Sequence, residues 1–118
     1  MVEISDDYMK SRLSTVRQYT LVVLRKGPTY QPPDTRPPEQ SAIVREHGRR
    51  NMALQQEGKL AIVGPLGGGG DSVGLYIFTV PEDEVRAIMD ADVAYLAQIF
   101  TYDVMAFYGF LGDALPPA

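Results

Sequence analysis

The hydrophobic pattern of the chain consists of four short apolar blocks, separated by segments rich in proline, glycine or charge. Each block is rich in β-branched and aromatic residues and is bounded by glycine or proline, which predicts a β-strand. The first, third and fourth blocks are apolar at both odd and even positions, so both of their faces should be covered. The predicted strands are residues 18–25, 59–66, 73–80 and 99–108.

The segment between the first two strands predicts a helix over residues 39–57. Pro38 suits the first turn of a helix, and Gly58 suits the left-handed residue that ends one. One face of this helix, defined by i, i+4, i+7, i+8 and i+11 spacing, mixes apolar with polar side chains. The residues on that face are Ile43, His47, Arg50, Asn51 and Leu54.

Residues 81–96 predict a second helix, with three carboxylates in its first turn, where they complement the helix dipole. Its inner stripe holds an acid, Asp92, among apolar residues, which is unusual for a buried face. Asp92 also has a second interpretation as a helix break, because a new short apolar turn begins at Val93. The stripe consists of Val85, Ile88, Met89, Asp92 and Leu96.

Two connections stand out by composition. Residues 26–38 contain five prolines in thirteen residues, so they form neither a helix nor a central strand. This long loop is either a lid over a binding site or an exposed connection, and Tyr30, Asp34 and Arg36 are its candidate contacts. Residues 67–71, GGGGD, lack the Gly-Lys-Ser/Thr of a phosphate loop and predict a hairpin turn.

The predicted order is β-α-β-β-α-β, the split βαβ arrangement of a ferredoxin-like α+β sandwich. Helices would cover one face of the sheet, and the other face would expose a large apolar surface that monomers avoid. We therefore predict a homodimer that packs symmetrically through the open sheet face. Residues 1–16 are predicted to be a tail or short helix, 17–110 the domain, and 111–118 a C-terminal tail.

The length, cysteine content and charge of the chain exclude several kinds of site and partner. A length of 118 residues fits one domain, and the absence of cysteine excludes disulfides, thiolate metal sites and cysteine nucleophiles. The net charge of −4 and the pI of about 4.8 argue against nucleic acid as a partner. No apolar run approaches the ~20 residues of a membrane span, and no secretory signal is visible at the N-terminus. We expect a soluble cytoplasmic protein that binds no membrane.

His47 is the best candidate for chemistry, because histidine exchanges protons near neutral pH. A carboxylate on one ring nitrogen would fix the tautomer and make the other nitrogen more basic, and Asp92 supplies it if the two helices lie side by side. Such a pair fits proton abstraction next to a carbonyl. The alternative is that His47 and Asp92 form only a satisfied structural contact.

Other polar residues are weaker candidates. Arg50 lies near the inner face, where it would bind a substrate carboxylate, although most helix arginines are solvated. Asn51, one turn from His47, would bind a ligand or its neighbours. Asp103 in the fourth strand is best explained as an edge-strand charge that blocks aggregation, with an interior acid or an interface partner for arginine as alternatives. One histidine without cysteine gives little support to a metal site.

Five short features occur in a distinctive order along the chain: His47, the Leu54-x-x-x-Gly58-x-Leu60 join, Gly64-Pro65, the glycine-rich hairpin and Ala91-Asp92. Together they resemble the YCII-like family of the dimeric α/β-barrel superfamily, over about residues 18–108. Where many members have Asp-Pro, this chain has Asp92-Val93. The resemblance implies a dimer, a pocket between the sheet and the first helix, a His–Asp pair at His47 and Asp92, and no cofactor.

The superfamily that this chain resembles includes muconolactone isomerase-type, dehalogenating and polyketide-tailoring proteins. The resulting expectation is a small cofactor-independent enzyme of isomerase, lyase or cyclase type. It would act on a small apolar carbonyl or lactone compound through His47 and Asp92, with Arg50 and Asn51 binding the substrate. The alternatives are a non-catalytic dimeric module that binds a small molecule, and an interaction protein without a closed pocket near His47.

Overall fold

The computed structural model describes residues 1–117 and contains a four-stranded sheet with helices on one side. The predicted strands and the first predicted helix are present, with ends shifted by at most two residues. In chain order the elements are α1 (Asp6–Leu13), β1 (Val16–Lys26), α2 (Pro38–Gln56), β2 (Leu60–Pro65), β3 (Ser72–Phe78), α3 (Glu82–Asp90), α4 (Val93–Leu96) and β4 (Phe100–Phe110).

The sheet order is β2-β3-β1-β4, and every neighbouring pair is antiparallel. The central strand β1 therefore pairs with β3 on one side and β4 on the other, and Val22 lies opposite both Tyr76 and Val104. This order is the one that a split βαβ unit produces. The prediction of a ferredoxin-like α+β fold is confirmed.

The hydrophobic core lies between the sheet and the helices. Val22, Phe78 and Val85 have no solvent exposure at all. Burying an aliphatic or aromatic side chain of this kind contributes about 1.5–3 kcal/mol each. Tyr76 and Phe78 point the same way from β3, and their rings stack with centroids 5.6 Å apart. The core therefore fixes the direction of the Tyr76 side chain.

Within residues 1–117, no helix packs on the opposite face of the sheet, which we term the open face. Its side chains include Met105, 44% exposed, and Phe107, 37% exposed. Asp103 also lies on this face, on the edge strand β4, where it forms an ion pair with Arg25 of the adjacent β1. The apolar members of the open face include Tyr19, Leu21, Val23, Ile62, Leu75, Ile77, Met105 and Phe107.

The single helix predicted over residues 81–96 is wrong, because the chain breaks at Asp92. α3 ends at Asp90, and Asp92 has the extended angles φ −68° and ψ 134°. Its carboxylate instead caps α4 by accepting from the backbone N–H groups of Ala94 and Tyr95. An aspartate favours this N-cap position because its oxygen satisfies N–H groups that the helix leaves unpaired. Leu96 consequently leaves the predicted buried stripe and is 66% exposed.

The N-terminal segment forms the helix α1, which begins after the N-cap Ser5 and buries no residue. An ion pair between Arg12 and Asp113 connects α1 to the segment that follows β4. The backbone N–H of Leu111 also donates to the carbonyl of Thr15. The end of α1 and the segment that follows β4 are therefore held together at the same end of the sheet.

Candidate active site

His47 lies on the inner face of α2 and is buried, with 8% of its surface exposed. Its neighbours along this face, Asn51 and Leu54, are also buried, as the i, i+4, i+7 spacing predicts. The imidazole packs against the Phe100 ring of β4, with ring centroids 5.1 Å apart. The helix and the sheet together hold the ring in one place.

Asp92 lies directly beside this imidazole, with Oδ2 at 2.9 Å from Nδ1 of His47. The same oxygen accepts hydrogen bonds from the backbone N–H groups of Ala94 at 3.1 Å and Tyr95 at 3.3 Å. Burial raises the pKa of Asp92, but the hydrogen bond and charge of His47 and the two N–H groups outweigh burial and bring the pKa below 3.8. Asp92 is therefore a carboxylate at neutral pH, and Nδ1 of His47 is the protonated ring nitrogen.

Tyr76 occupies the other side of the imidazole, with its hydroxyl 3.1 Å from Nε2 of His47. Asn51 donates from its amide nitrogen to the same hydroxyl at 3.2 Å. In the neutral imidazole with its proton on Nδ1, Nε2 carries the lone pair, so the Tyr76 hydroxyl donates to it and accepts from Asn51. Burial raises the pKa of Tyr76 far above its usual value of 10.0, so the hydroxyl keeps its proton. The result is one continuous chain from Asn51 through Tyr76 and His47 to Asp92.

Tyr76 was not among the residues that sequence reasoning assigned to the site. Alternation along β3 places it on the same face as Phe78, and nothing in the local sequence separates it from the core aromatics. Its role depends on the sheet register, which sets Tyr76 opposite Val22, beneath α2. The only available signal was the polar hydroxyl on an inner position, since a buried tyrosine usually has a hydrogen-bond partner.

A cavity of about 540 Å³ opens beside these hydrogen-bonded side chains, between α2, the sheet and the loop that joins β1 to α2. His47, Asn51 and Tyr76 all line it. Its size falls within the range of small-molecule sites, which combine mostly apolar walls with a few polar groups. The apolar walls come mainly from Leu24, Val44, Met52, Val63, Leu66, Val73 and Phe100.

The proline-rich loop forms one wall of the cavity through Tyr30, Pro33 and Arg36. The loop is held at both ends. At its start, the backbone N–H of Gly27 donates to the carbonyl of Ile99 at 2.8 Å. A Cβ at Gly27 would lie 2.3 Å from the carbonyl oxygen of Gln98, so only glycine permits this approach. Further along, both polar atoms of the Gln40 side chain bind the loop backbone.

Arg50 does not line this cavity. Its Nη1 donates to the backbone carbonyl of Ile88 at 2.7 Å and lies 3.8 Å from Oδ1 of Asp92. The Ile88 carbonyl belongs to the last turn of α3, where helix carbonyls lack partners within the helix. The geometry therefore gives Arg50 contacts that join α2 to α3 behind the His47–Asp92 pair.

Within residues 1–117, no three side chains of the histidine, cysteine, aspartate and glutamate types group closely enough to hold a metal ion. Across the same residues, no helix has both the length and the hydropathy needed to cross a membrane. Every buried side-chain nitrogen and oxygen in this part of the chain has a hydrogen-bond partner. The polar chain at the cavity is therefore complete in itself.

No protein-family model and no curated protein matches this sequence. Among solved structures, the chain is similar to 5-chloro-2-hydroxyhydroquinone dehydrochlorinase (TftG) from Burkholderia phenoliruptrix AC1100, in complex with 2,5-dihydroxybenzoquinone. The identity is 19%, and the match covers 73% of this chain and 90% of that one with a TM-score of 0.47. A likeness at this level transfers no activity to this chain.

Proposed function

We propose that this protein is a small cofactor-independent enzyme that performs acid–base chemistry on a carbonyl or lactone compound with an apolar body. The observation that carries the proposal is the buried chain Asp92–His47–Tyr76 on the wall of an apolar cavity. A titratable pair inside a cleft of this kind is more common in functional sites than in ordinary cores.

In the proposed reaction, His47 is the general base. When substrate displaces the Tyr76 hydroxyl from Nε2, the lone pair takes a proton from the carbon next to the substrate carbonyl. The C–H bond breaks, an N–H bond forms, and the electron pair moves onto the carbonyl oxygen. Asp92 keeps the Nδ1–H tautomer and stabilises the imidazolium that forms. His47 then returns the proton to another atom, which gives isomerisation, or the enolate expels a leaving group, which gives elimination.

Tyr76 is the proposed donor to the developing oxyanion. Its hydroxyl lies 3.1 Å from the base, so a carbonyl oxygen next to the reacting carbon falls within its reach. Because burial keeps this hydroxyl protonated, it can donate throughout the reaction. A preorganised donor of this kind typically contributes about a 10²- to 10³-fold rate increase. Asn51 orients the hydroxyl by donating to its oxygen.

Arg50 has a positioning role in this proposal in place of the substrate-carboxylate contact that its spacing predicted. It connects α2 to the carbonyl end of α3 and places positive charge 3.8 Å from Oδ1 of Asp92. This contact favours the ionised carboxylate that the mechanism requires.

The proposal includes membership of the YCII-like family and a homodimer formed through the open face. Support comes from the apolar side chains of that face, which none of the helices α1–α4 covers. A contiguous apolar surface of this type is usually buried against a partner, and a two-fold dimer is the most common arrangement. The cavity lies on the opposite side of the sheet, so each subunit would keep its own site.

A non-catalytic binding module is the second candidate, and one observation favours it. The Tyr76 hydroxyl already occupies Nε2 of His47, so the polar chain is satisfied without a substrate. In such a module the cavity would bind the same compounds, and His47 would serve only to orient Tyr76.

Proton exchange separates the two candidates. Small ketones, lactones and α-keto acids are incubated in D₂O with the wild-type protein, and NMR follows the loss of protons next to the carbonyl. We expect exchange with wild type and none above background with His47→Asn, while both proteins give the same melting temperature within a few degrees. Binding of these compounds without exchange by wild type would favour the binding module.

A further inference from the structure

Arg36 is the cationic side chain of the cavity wall. Among the described residues that line the cavity, no other is a lysine or arginine, and none is an aspartate or glutamate. Arg12, Arg25 and Arg50 each lie within ion-pair distance of an aspartate carboxylate. Arg36, in contrast, forms no ion pair with a carboxylate of residues 1–117. Its positive charge therefore faces the cavity without a protein counter-ion.

The Arg36 side chain is held in place by its own loop. Its Nε donates to the backbone carbonyl of Gln31 at 3.0 Å, and its guanidinium carbon lies 5.3 Å from the centre of the Tyr30 ring. Both contacts leave the two terminal nitrogens of the guanidinium available. Those nitrogens are the pair that binds a carboxylate with two parallel hydrogen bonds.

A row of aromatic rings connects Arg36 with the proposed base. Tyr30, beneath the guanidinium, packs against Phe100 with ring centroids 6.0 Å apart, and Phe100 packs against His47 at 5.1 Å. All three rings line the same cavity. Flat aromatic surfaces of this kind favour a planar partner, which stacks in an offset or tilted arrangement.

We infer that the cavity takes a planar organic carboxylate, with its carboxylate on Arg36 and its ring or conjugated body along Tyr30 and Phe100 towards His47. This inference specifies the substrate class of the proposed enzyme and rests on it for the reaction. The binding step itself does not require catalysis. Because the whole chain has a net charge of −4, a local cation at the cavity offsets the general repulsion of anions.

Benzoate and benzamide provide a matched pair of probes, because they share shape and planarity and differ in charge. Isothermal titration calorimetry measures both with the wild-type protein and with Arg36→Gln, Arg36→Lys and Arg45→Gln. Arg45 is the control, since it is exposed on α2 and outside the cavity, and its substitution removes the same charge. Thermal melts establish that each variant is folded.

We expect wild type to bind benzoate at least about tenfold tighter than benzamide, as a charge-assisted bidentate contact provides. Arg36→Gln should remove this preference, Arg36→Lys should keep part of it, and Arg45→Gln should keep all of it. Equal binding of both probes by wild type, absence of binding by either probe, or a preference that survives Arg36→Gln would overturn the inference.

The same titration with His47→Asn separates the inference from the proposed function. A benzoate preference that persists in His47→Asn and is lost in Arg36→Gln assigns anion binding to Arg36 even where the wild type shows no proton exchange. Proton exchange by wild type together with equal binding of benzoate and benzamide would support His47 as the base and contradict an anion subsite at Arg36. Cyclohexanecarboxylate adds a test of planarity, because a site with stacked rings should bind it more weakly than benzoate.

Discussion

The Tyr76 hydroxyl lies 3.1 Å from Nε2 of His47, on the side of the imidazole opposite Asp92. The ring is therefore held from both sides by groups with opposite hydrogen-bonding roles. Asp92 accepts from Nδ1, and in the neutral ring Tyr76 donates to Nε2. Nε2, the nitrogen that would take the substrate proton, therefore lies next to a hydroxyl that can donate to the carbonyl oxygen of the substrate.

Removing the Tyr76 hydroxyl should slow catalysis strongly and leave the protein folded. With Tyr76→Phe we expect roughly a 100-fold lower rate of proton exchange, because the donor to the developing oxyanion is lost. The free energy of unfolding should fall by about 1–3 kcal/mol, because the hydroxyl makes two buried hydrogen bonds, one with His47 and one with Asn51. Denaturant titration and the D₂O assay measure the two effects.

Tyr102→Phe is the matched control for this change. Its hydroxyl donates to Asp90 at 2.6 Å, burial raises its pKa to about 12, and it does not line the cavity. We expect Tyr102→Phe to leave proton exchange at the wild-type rate. A loss of exchange equal to that of Tyr76→Phe would show that the effect is not specific to the hydroxyl at His47.

Asp92→Asn should reduce stability at neutral pH and much less in acid. The pKa of Asp92 in the folded protein lies below 3.8, so its carboxylate stabilises the fold above that value. This contribution is lost as the pH falls through the lower, folded-state pKa. At pH 7 we expect a loss of roughly 2 kcal/mol on replacing the charged acceptor.

Urea titrations of both proteins at pH 7 and near pH 3 measure this difference. The gap in unfolding free energy between wild type and Asp92→Asn should narrow at the lower pH. A gap that stays constant across this range would mean that the ionised carboxylate contributes nothing specific to the fold.

Gly48 offers a way to reduce the cavity from the helix side. It lies inside α2 and lines the cavity, and an added Cβ meets no atom within 4 Å. Gly48→Ala should raise the free energy of unfolding by about 0.5–1 kcal/mol, the usual gain in a helix interior. Gly48→Leu, in contrast, should fill part of the cavity and weaken benzoate binding while the melting temperature stays at or above that of wild type.

Gly58→Ala provides the comparison for Gly48→Ala. Gly58 has φ +77°, a conformation that costs an L-residue about 1 kcal/mol or more, so the same substitution should destabilise the protein. Thermal denaturation of the two variants should therefore give shifts of opposite sign. Equal shifts would contradict the assignment of these two glycines to different backbone roles.

The proposed dimer depends on the open face. Met105→Glu places a charge among Tyr19, Leu21 and Phe107, where it would be desolvated in the dimer and solvated in a monomer. We expect sedimentation velocity to show a dimer for wild type and a monomer for this variant. Leu96→Glu, at a 66% exposed position of α4 outside the sheet, should remain dimeric. A monomeric wild type at high micromolar concentration would remove the dimer from the proposal.

The sequence was sufficient for features that depend on local spacing or local backbone geometry. The inner position of His47 follows from its spacing with Leu54, and the end of α2 follows from the left-handed backbone of Gly58. The alternation of each strand and the order of the elements then produce the sheet. These signals act within a few residues, so a single amino-acid sequence is enough to predict them without knowledge of the tertiary structure.

Features that depend on distant elements were not accessible in this way. Tyr76 joins the site because β3 pairs with β1 beneath α2, and no local pattern encodes that register. The sequence offered an inner acid and a helix break as alternative interpretations of Asp92. In the structure both apply, because Asp92 caps α4 and also binds His47. Arg50 has the spacing of an inner residue, but its long side chain reaches the unpaired carbonyl of Ile88 instead of the cavity.

The tautomer of His47 is the first property to measure. Two-dimensional NMR that correlates the ring protons with the ring nitrogens, on uniformly ¹⁵N-labelled protein near pH 8, reports which nitrogen carries the proton. We expect a protonated Nδ1 facing Asp92 and an unprotonated Nε2 facing Tyr76, with loss of this preference in Asp92→Ala. A protonated Nε2 in the wild-type protein would leave no lone pair to accept a proton from substrate, and His47 could then not be the base.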